Sequence, residues 1–176
     1  LSETTVHAMM AYIETVAAHG NAFLTDQDEA ECLQDLRQQA ARLLGAVDQQ
    51  DVAIVGGASE ILGQLPYYLL QQQQDNTPTN GKSEIILIDG DFPAVTRPWV
   101  QAVATYNKYK LVFVSNDDPN VNLTDAICRA VTERTKVVAV SYVQFATGCR
   151  IDNPSRIRQT TDTVGAHFVL DVTQAA

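Results

Sequence analysis

The sequence predicts an α/β fold: a parallel or mostly parallel sheet with helices on both faces, preceded by further helices. Three observations predict it. From residue 51 onward, short apolar runs alternate with segments of helical periodicity. Those runs are nearly continuous in apolar residues, as strands buried on both faces are. Residues 1–50 carry helical spacing only, which places them outside the sheet.

Val6, Met9, Met10, Ile13 and Val16 recur at helical spacing, and Gly20 offers a left-handed terminator before a Gly20-Asn21 turn. A second helix starts at a Thr25 or Asp26 cap and ends at Gly45. Its apolar stripe is Leu33, Leu36, Ala40, Leu43 and Leu44. Residues 52–55 (VAIV) read as the first strand, stopped by Gly56-Gly57. A helix follows from Ser59 with Ile61, Leu62, Leu65 and Leu69 along it, and Pro66 is expected to kink it or delay its start. Residues 71–83 are polar and turn-rich, a surface loop or a frayed helix end.

Residues 84–88 (EIILI) form the second strand. Thr96 caps the next helix, whose early turn contains Pro98. Residues 110–114 (KLVFV) are the third strand, and 115–122 form a loop rich in Asp, Asn and Pro. Residues 123–133 read as an amphipathic helix with Ala126, Ile127, Ala130 and Val131 inward. The Asn122-Leu123-Thr124 triplet matches a glycosylation acceptor, but with no secretory signal it reads as the cap of this helix. Residues 135–141 (TKVVAVS) are the fourth strand. Asn153-Pro154 opens the last helix by the cap-then-proline rule, Gly165 ends it, and residues 167–171 are the fifth strand.

The chain of 176 residues suits one domain of ordinary size with a real core. Its apolar content of 45% is globular. No stretch approaches the roughly 18 apolar residues that a membrane span requires. A net charge of −9 argues against a phosphate-backbone partner, so neither nucleic acid nor membrane is expected. Cys32, Cys128 and Cys149 lack Cys-x-x-Cys spacing, and His7, His19 and His167 lack ligand spacing. No metal site or disulfide framework is expected, and a reducing, cytoplasmic setting is. Leu1 in place of Met, with no signal-like segment after it, marks the chain as an expected piece of a longer protein.

Four of the predicted strands end in residues that a ligand can use, and in open α/β sheets ligands bind at those ends. After the first come Gly56, Gly57, Ala58 and Ser59, where glycines, helix N-terminal amides and a hydroxyl suit a phosphate. A plain turn before a Ser cap is the structural alternative. After the second comes Phe92-Pro93, an aromatic that can stack on a flat ring or sit in the core. After the fourth come Gln144, Thr147 and Gly148, and after the fifth Asp171 and Gln174. A carboxylate at the end of an apolar strand calls for a partner, such as a cationic ring nitrogen, with a helix-cap role as the alternative.

Together, GGASE before a helix, DFPAVTRPW, SYVQFATGCRID and HFVLDVTQAA resemble the class V aminotransferase-like enzymes in order and spacing. These depend on pyridoxal phosphate (PLP) and share the aspartate aminotransferase fold (fold type I). They include cysteine desulfurases, selenocysteine lyases, kynureninases and isopenicillin N epimerase-like proteins. The resemblance implies a three-layer α/β/α large domain over residues 51–176, incomplete, preceded by an N-terminal helical segment over 1–50. It places Asp171 at the pyridine nitrogen and Gln174 at the phenolic oxygen. Phe92 falls on the ring face, Ser59 with the amides of Gly57 and Ala58 at the phosphate, and Gln144 among the cofactor-binding residues. It further implies an amino acid substrate, chemistry through a PLP-stabilised carbanion, and a homodimer.

Two departures qualify that picture. Cysteine desulfurases carry a His where Phe92 stands and commonly an Asn where Phe145 stands, so the two Phe residues lean toward kynureninase-like or epimerase-like relatives. The family's Schiff-base lysine lies further along than Ala176, so the chain alone is expected to be inactive. A non-catalytic relative serving as a scaffold is a second reading. A nucleotide-binding α/β domain, with Asp89 or Asp91 on a ribose, is a third.

Overall fold

The computed structural model describes residues 1–176 except 21, 23, 24, 46, 47, 72–82, 117–120 and 176. The expected Gly20-Asn21 turn and most of the expected loops over 71–83 and 115–122 therefore lie outside the described residues. The chain divides into two compact units, residues 1–54 and 55–176.

The first unit is helical. Helix α1 (Glu3–His19) is capped by Ser2, whose hydroxyl accepts from the Thr5 N–H, and the Gly20 N–H closes its end onto the Val16 carbonyl. Its expected stripe at Val6, Met9, Met10 and Ile13 is exposed in this structure. The single helix expected over 26–44 is two, α2 (Asp26–Glu31) and α3 (Gln34–Leu44). Cys32 and Leu33 between them keep helical backbone angles, so the interruption is a loss of ladder bonds rather than of helical backbone. Thr25 and Asp28 form a reciprocal capping box at the start of α2. A short 3₁₀ turn (Gln49–Asp51) follows.

The predicted strand over 52–55 is absent. Val52 is extended, but a strand exists only where a neighbour completes its ladder, and none does so among the described residues. The sheet accordingly has four described strands rather than five: β1 (Ser83–Ile88), β2 (Tyr109–Val114), β3 (Thr135–Ser141) and β4 (His167–Asp171). All pairings are parallel, in the order β2-β1-β3-β4.

Helix α4 (Ala58–Gln71) precedes the sheet and runs through Pro66. Pro66 removes one N–H from the ladder, and the helix continues past it to Gln71. Helix α5 (Pro93–Thr105) starts earlier than the expected Thr96, because Pro93 occupies the first helical position, where its fixed φ is an advantage. Helix α6 (Leu123–Ala130) is capped by Asn122 and is shorter than expected, since Val131 is already extended. Helix α7 (Pro154–Thr163) follows its Asn153 cap as read from sequence.

Period-two alternation along the strands builds a three-layer fold. Ile85, Leu87, Val137 and Ala139 face α4 and α5, packing with Leu70, Trp99 and Ala102. Ile86, Ile88, Val138 and Val140 point the other way, toward Leu123, Ile127 and Ile157 of α6 and α7. The interiors of the central strands β1 and β3 are fully buried on both faces, whereas the edge strands β2 and β4 are partly exposed.

At the amino edge of the sheet, Glu84 is 3% exposed. Its carboxylate accepts from the Thr132 hydroxyl (2.6 Å) and from Arg134 Nη2 (2.7 Å), and pairs with Lys110 Nζ (3.0 Å). This anchor joins β1 to β2 and to the turn before β3. Burial, the largest single influence, pushes the Glu84 carboxyl up. The bonds from Thr132, Lys110 and Arg134 together outweigh it and hold the group below the ordinary glutamate range. A depressed carboxylate stabilises the fold above its unfolded pKa, and that contribution is lost as pH falls through the folded value.

Replacing Glu84 with Gln is expected to destabilise the protein at neutral pH by about 1–3 kcal/mol. The half-exposed Lys110 and Arg134 side chains (46% and 48%) place the effect toward the lower end. Urea unfolding at a series of pH values checks this: the gap between parent and Glu84→Gln narrows as pH drops below the ordinary glutamate range.

Candidate functional site

The carboxyl ends of the strands share one edge. Strand β1 sits between β2 and β3, so the winding direction reverses there, and the crevice of such a switch point is where open α/β sheets bind ligands. The β1–β3 ladder pairs as far as Ile86 and Val138. Its neighbours run further, to Ile88 with Val114 and to Ser141 with Asp171. The crevice therefore opens between β1 and β3.

A pocket of about 530 Å³, part of it open to solvent, lies at this edge. Its polar lining is Ser59, Ser141, Asp171, Thr173 and Gln174, and its apolar lining is Leu62, Phe92, Ala94, Val143 and Phe145, with Ala58 beside them. Ala58, Ser59, Phe92, Asp171 and Gln174 are thus brought together from three separate stretches of sequence, and residues 141–145 add a fourth. Gly57 is not in the lining; its carbonyl accepts from the Glu60 N–H, and the space beside its α-carbon is open.

Each lining residue has a local reason for its place. Ala58 and Ser59 form the first turn of α4, where N–H groups lack helical partners. The turn leaving β1 is closed by the Asp91 N–H on the Ile88 carbonyl, and Gly90 within it takes φ +71°, a conformation that suits glycine. Phe92 then serves as the N-cap of α5. Beyond β3 the chain folds back through a Val143–Arg150 bridge, with the Gly148 N–H on the Gln144 carbonyl and Gly148 at φ +70°. That hairpin carries Phe145 near its tip. The Phe92 and Phe145 rings meet edge to face, centroids 5.3 Å apart, and both stay exposed at 43% and 54%.

Asp171 ends β4 opposite Ser141 and is half-buried, less enclosed than the apolar run before it implies. Its Oδ1 accepts from the Thr173 N–H (2.9 Å) and the Thr173 hydroxyl (2.5 Å), fixing the turn that presents Gln174. Among the described residues no cationic side chain pairs with it.

Gln144 is buried in the loop after β3. It is 1% exposed and absent from the lining; its Nε2 donates to the Ser141 carbonyl (3.0 Å), while its Oε1 accepts from Asn116 Nδ2 (3.5 Å). A buried amide must satisfy its own donors and acceptor, and its partners are the Ser141 carbonyl at the end of β3 and Asn116 in the loop after β2. Gln144 supports the loop that carries Phe145.

Sequence reasoning missed Ser141, Thr173 and Phe145 as pocket residues, although Phe145 stood within a motif. Asp91, read from sequence only as a candidate for a ribose, is 5% exposed. Asp91 Oδ2 accepts from the Ser141 N–H (2.8 Å) and Oδ1 from the Phe92 N–H (2.7 Å). With both oxygens engaged on backbone, Asp91 is not placed to read a ribose. Among the described residues, no cluster of His, Cys, Asp and Glu is arranged to hold a metal, and no helix is long and apolar enough to cross a membrane.

Comparison with solved structures returns the same architecture. The cystine C-S lyase C-DES, in complex with its reaction product cysteine persulfide, matches at 17% identity and TM-score 0.76, covering 100% of this chain and 45% of that one. Another structure of C-DES, a mutant with glycine covalently linked to the PLP cofactor, matches at 17% identity and TM-score 0.75 over the same shares, 100% and 45%. The cysteine desulfurase CsdA from Escherichia coli matches at 20% identity and TM-score 0.69, covering 89% of this chain and 38% of that one. The chain spans less than half the length of these proteins. No match is found among curated protein sequences. The family model for aminotransferase class-V matches residues 1–176 from end to end. With the sheet order, the switch-point pocket and that full-length match in agreement, this chain belongs to the class V aminotransferase family.

Proposed function

We propose that this chain contributes the cofactor-binding region of a PLP-dependent enzyme that acts on an amino acid. The single observation that carries this reading is the convergence of Ser59, Phe92, Asp171 and Gln174 on one pocket at the switch point. The donor set fits the cofactor. A phosphate suits a hydroxyl and free amides at a helix start, a flat ring suits an exposed aromatic, and a protonated ring nitrogen suits a half-buried carboxylate with no cationic partner.

When bound, PLP supplies an electron sink for bonds at the amino acid α-carbon. Ser59, with the amide of Ala58, would anchor the phosphate. Phe92 would cover a ring face, Gln174 would donate to the phenolic oxygen, and Asp171 would hold a proton on the pyridine nitrogen. Thr173 keeps Asp171 aimed by occupying its Oδ1, and Gln144 braces the hairpin from behind. Phe92 and Phe145 keep water from one side of the pocket. Residues 51–176 form the cofactor domain, residues 1–50 the N-terminal helical segment, and the working protein is a cytoplasmic homodimer.

The structural relatives favour C–S bond chemistry within the family, whereas Phe92 and Phe145 favour a less polar substrate environment than a desulfurase-type His and Asn give. Elimination, transamination and epimerisation all use this residue set.

The direct test adds PLP to the full-length protein and scans for a visible absorbance band that borohydride removes. Absence of that band sinks the cofactor assignment. Substituting Ser59 with Ala is expected to weaken PLP binding by about 10–100-fold, the worth of one hydrogen bond to a charged group, read by equilibrium dialysis. Asp171→Asn is expected to retain bound PLP while turnover falls by about 10²-fold or more, measured across a panel of amino acids.

A further inference from the structure

We infer that Asp91 is a positioning residue that sets the width of the pocket between Phe92 and the Ser141–Asp171 pair. This rests on the PLP reading above. Beyond Ile86 and Val138 the β1–β3 ladder stops, so no backbone pairing ties Asp91 to Ser141. Asp91 makes the tie with its two side-chain oxygens, one on the Phe92 N–H and the other on the Ser141 N–H.

Each tethered residue lies on a different side of the pocket. Phe92 supplies the aromatic wall, and Ser141 is the register partner of Asp171 on the polar wall. Neither N–H has another bond to turn to. The Phe92 N–H precedes helix α5, and the Ser141 N–H lies past the end of the β1–β3 ladder. A carboxylate bonded to two backbone amides in a buried setting is short and directional, so the spacing it sets is stiff. A flat ring held between an aromatic face and a carboxylate depends on that spacing.

The chemistry of the side chain makes the inference testable. Asparagine keeps the size of Asp91 but only one acceptor oxygen, so one N–H must face an NH₂ group and lose its bond. In the full-length protein, Asp91→Asn is expected to raise the PLP dissociation constant by about tenfold or more. The circular dichroism of the bound cofactor's visible band, measured at saturating PLP, is expected to change in amplitude, because that band reports how the ring is held. Amide hydrogen exchange at Phe92 and Ser141 in the cofactor-free protein is expected to accelerate.

Asp91→Ser, which retains one short acceptor, provides a second variant should Asp91→Asn not fold. Parent-like affinity and dichroism in a folded variant overturn the inference while leaving the PLP reading intact. A parent protein that binds no PLP overturns the reading itself. If neither variant folds, Asp91 is a determinant of the fold and not of the pocket, which also overturns the inference.

Discussion

A parallel sheet leaves both faces in need of cover and gathers all its carboxyl ends on one edge, and the unit over 55–176 is organised by that constraint. Because successive side chains point to opposite faces, Ile85 and Leu87 commit β1 to α4 and α5, while Ile86 and Ile88 commit it to α6 and α7. With the helices so placed, every connection leaving a strand end emerges at one rim. The pocket is a product of this geometry. Four stretches far apart in sequence meet there because the sheet delivers them to the same edge.

Features governed by local chemistry were legible in the sequence. The buried strands announced themselves as apolar runs, and Asn153-Pro154 marked the start of α7 because both its cap and its fixed φ are local properties. Ser59, Phe92, Asp171 and Gln174 were legible for a related reason. Each stands just past a hydrophobic segment, at a position the fold class assigns to the rim. The strand over 52–55 failed for the opposite reason. Extended backbone is encoded locally, but a ladder needs a neighbour, and sequence periodicity does not supply one. The start of α5 was misplaced because two prolines and a threonine competed for it, and only the structure shows that Pro93 wins.

The residues that support the pocket were least legible. Gln144 and Phe145 are adjacent in one loop, yet one side chain is enclosed and the other is exposed toward Phe92. No periodicity rule separates them, because a hairpin closed by a left-handed glycine has no fixed repeat. Asp91 was visible only as one of two acids after β1. Its partners, the N–H groups of Phe92 and Ser141, include one from a strand remote in sequence, and such a pairing is set by tertiary structure.

The Glu84 anchor lies at the amino end of β1, and the pocket begins past its carboxyl end at Ile88. At about 3.3 Å of rise per residue, the two ends are on the order of 13 Å apart. They share no side-chain partner, and sites so separated usually combine independently. The Glu84 anchor and the candidate pocket thus lie at opposite rims of the sheet. Substitutions that tune robustness can accumulate at the first without disturbing selectivity at the second, which gives this fold a way to diversify its reactions without losing its scaffold.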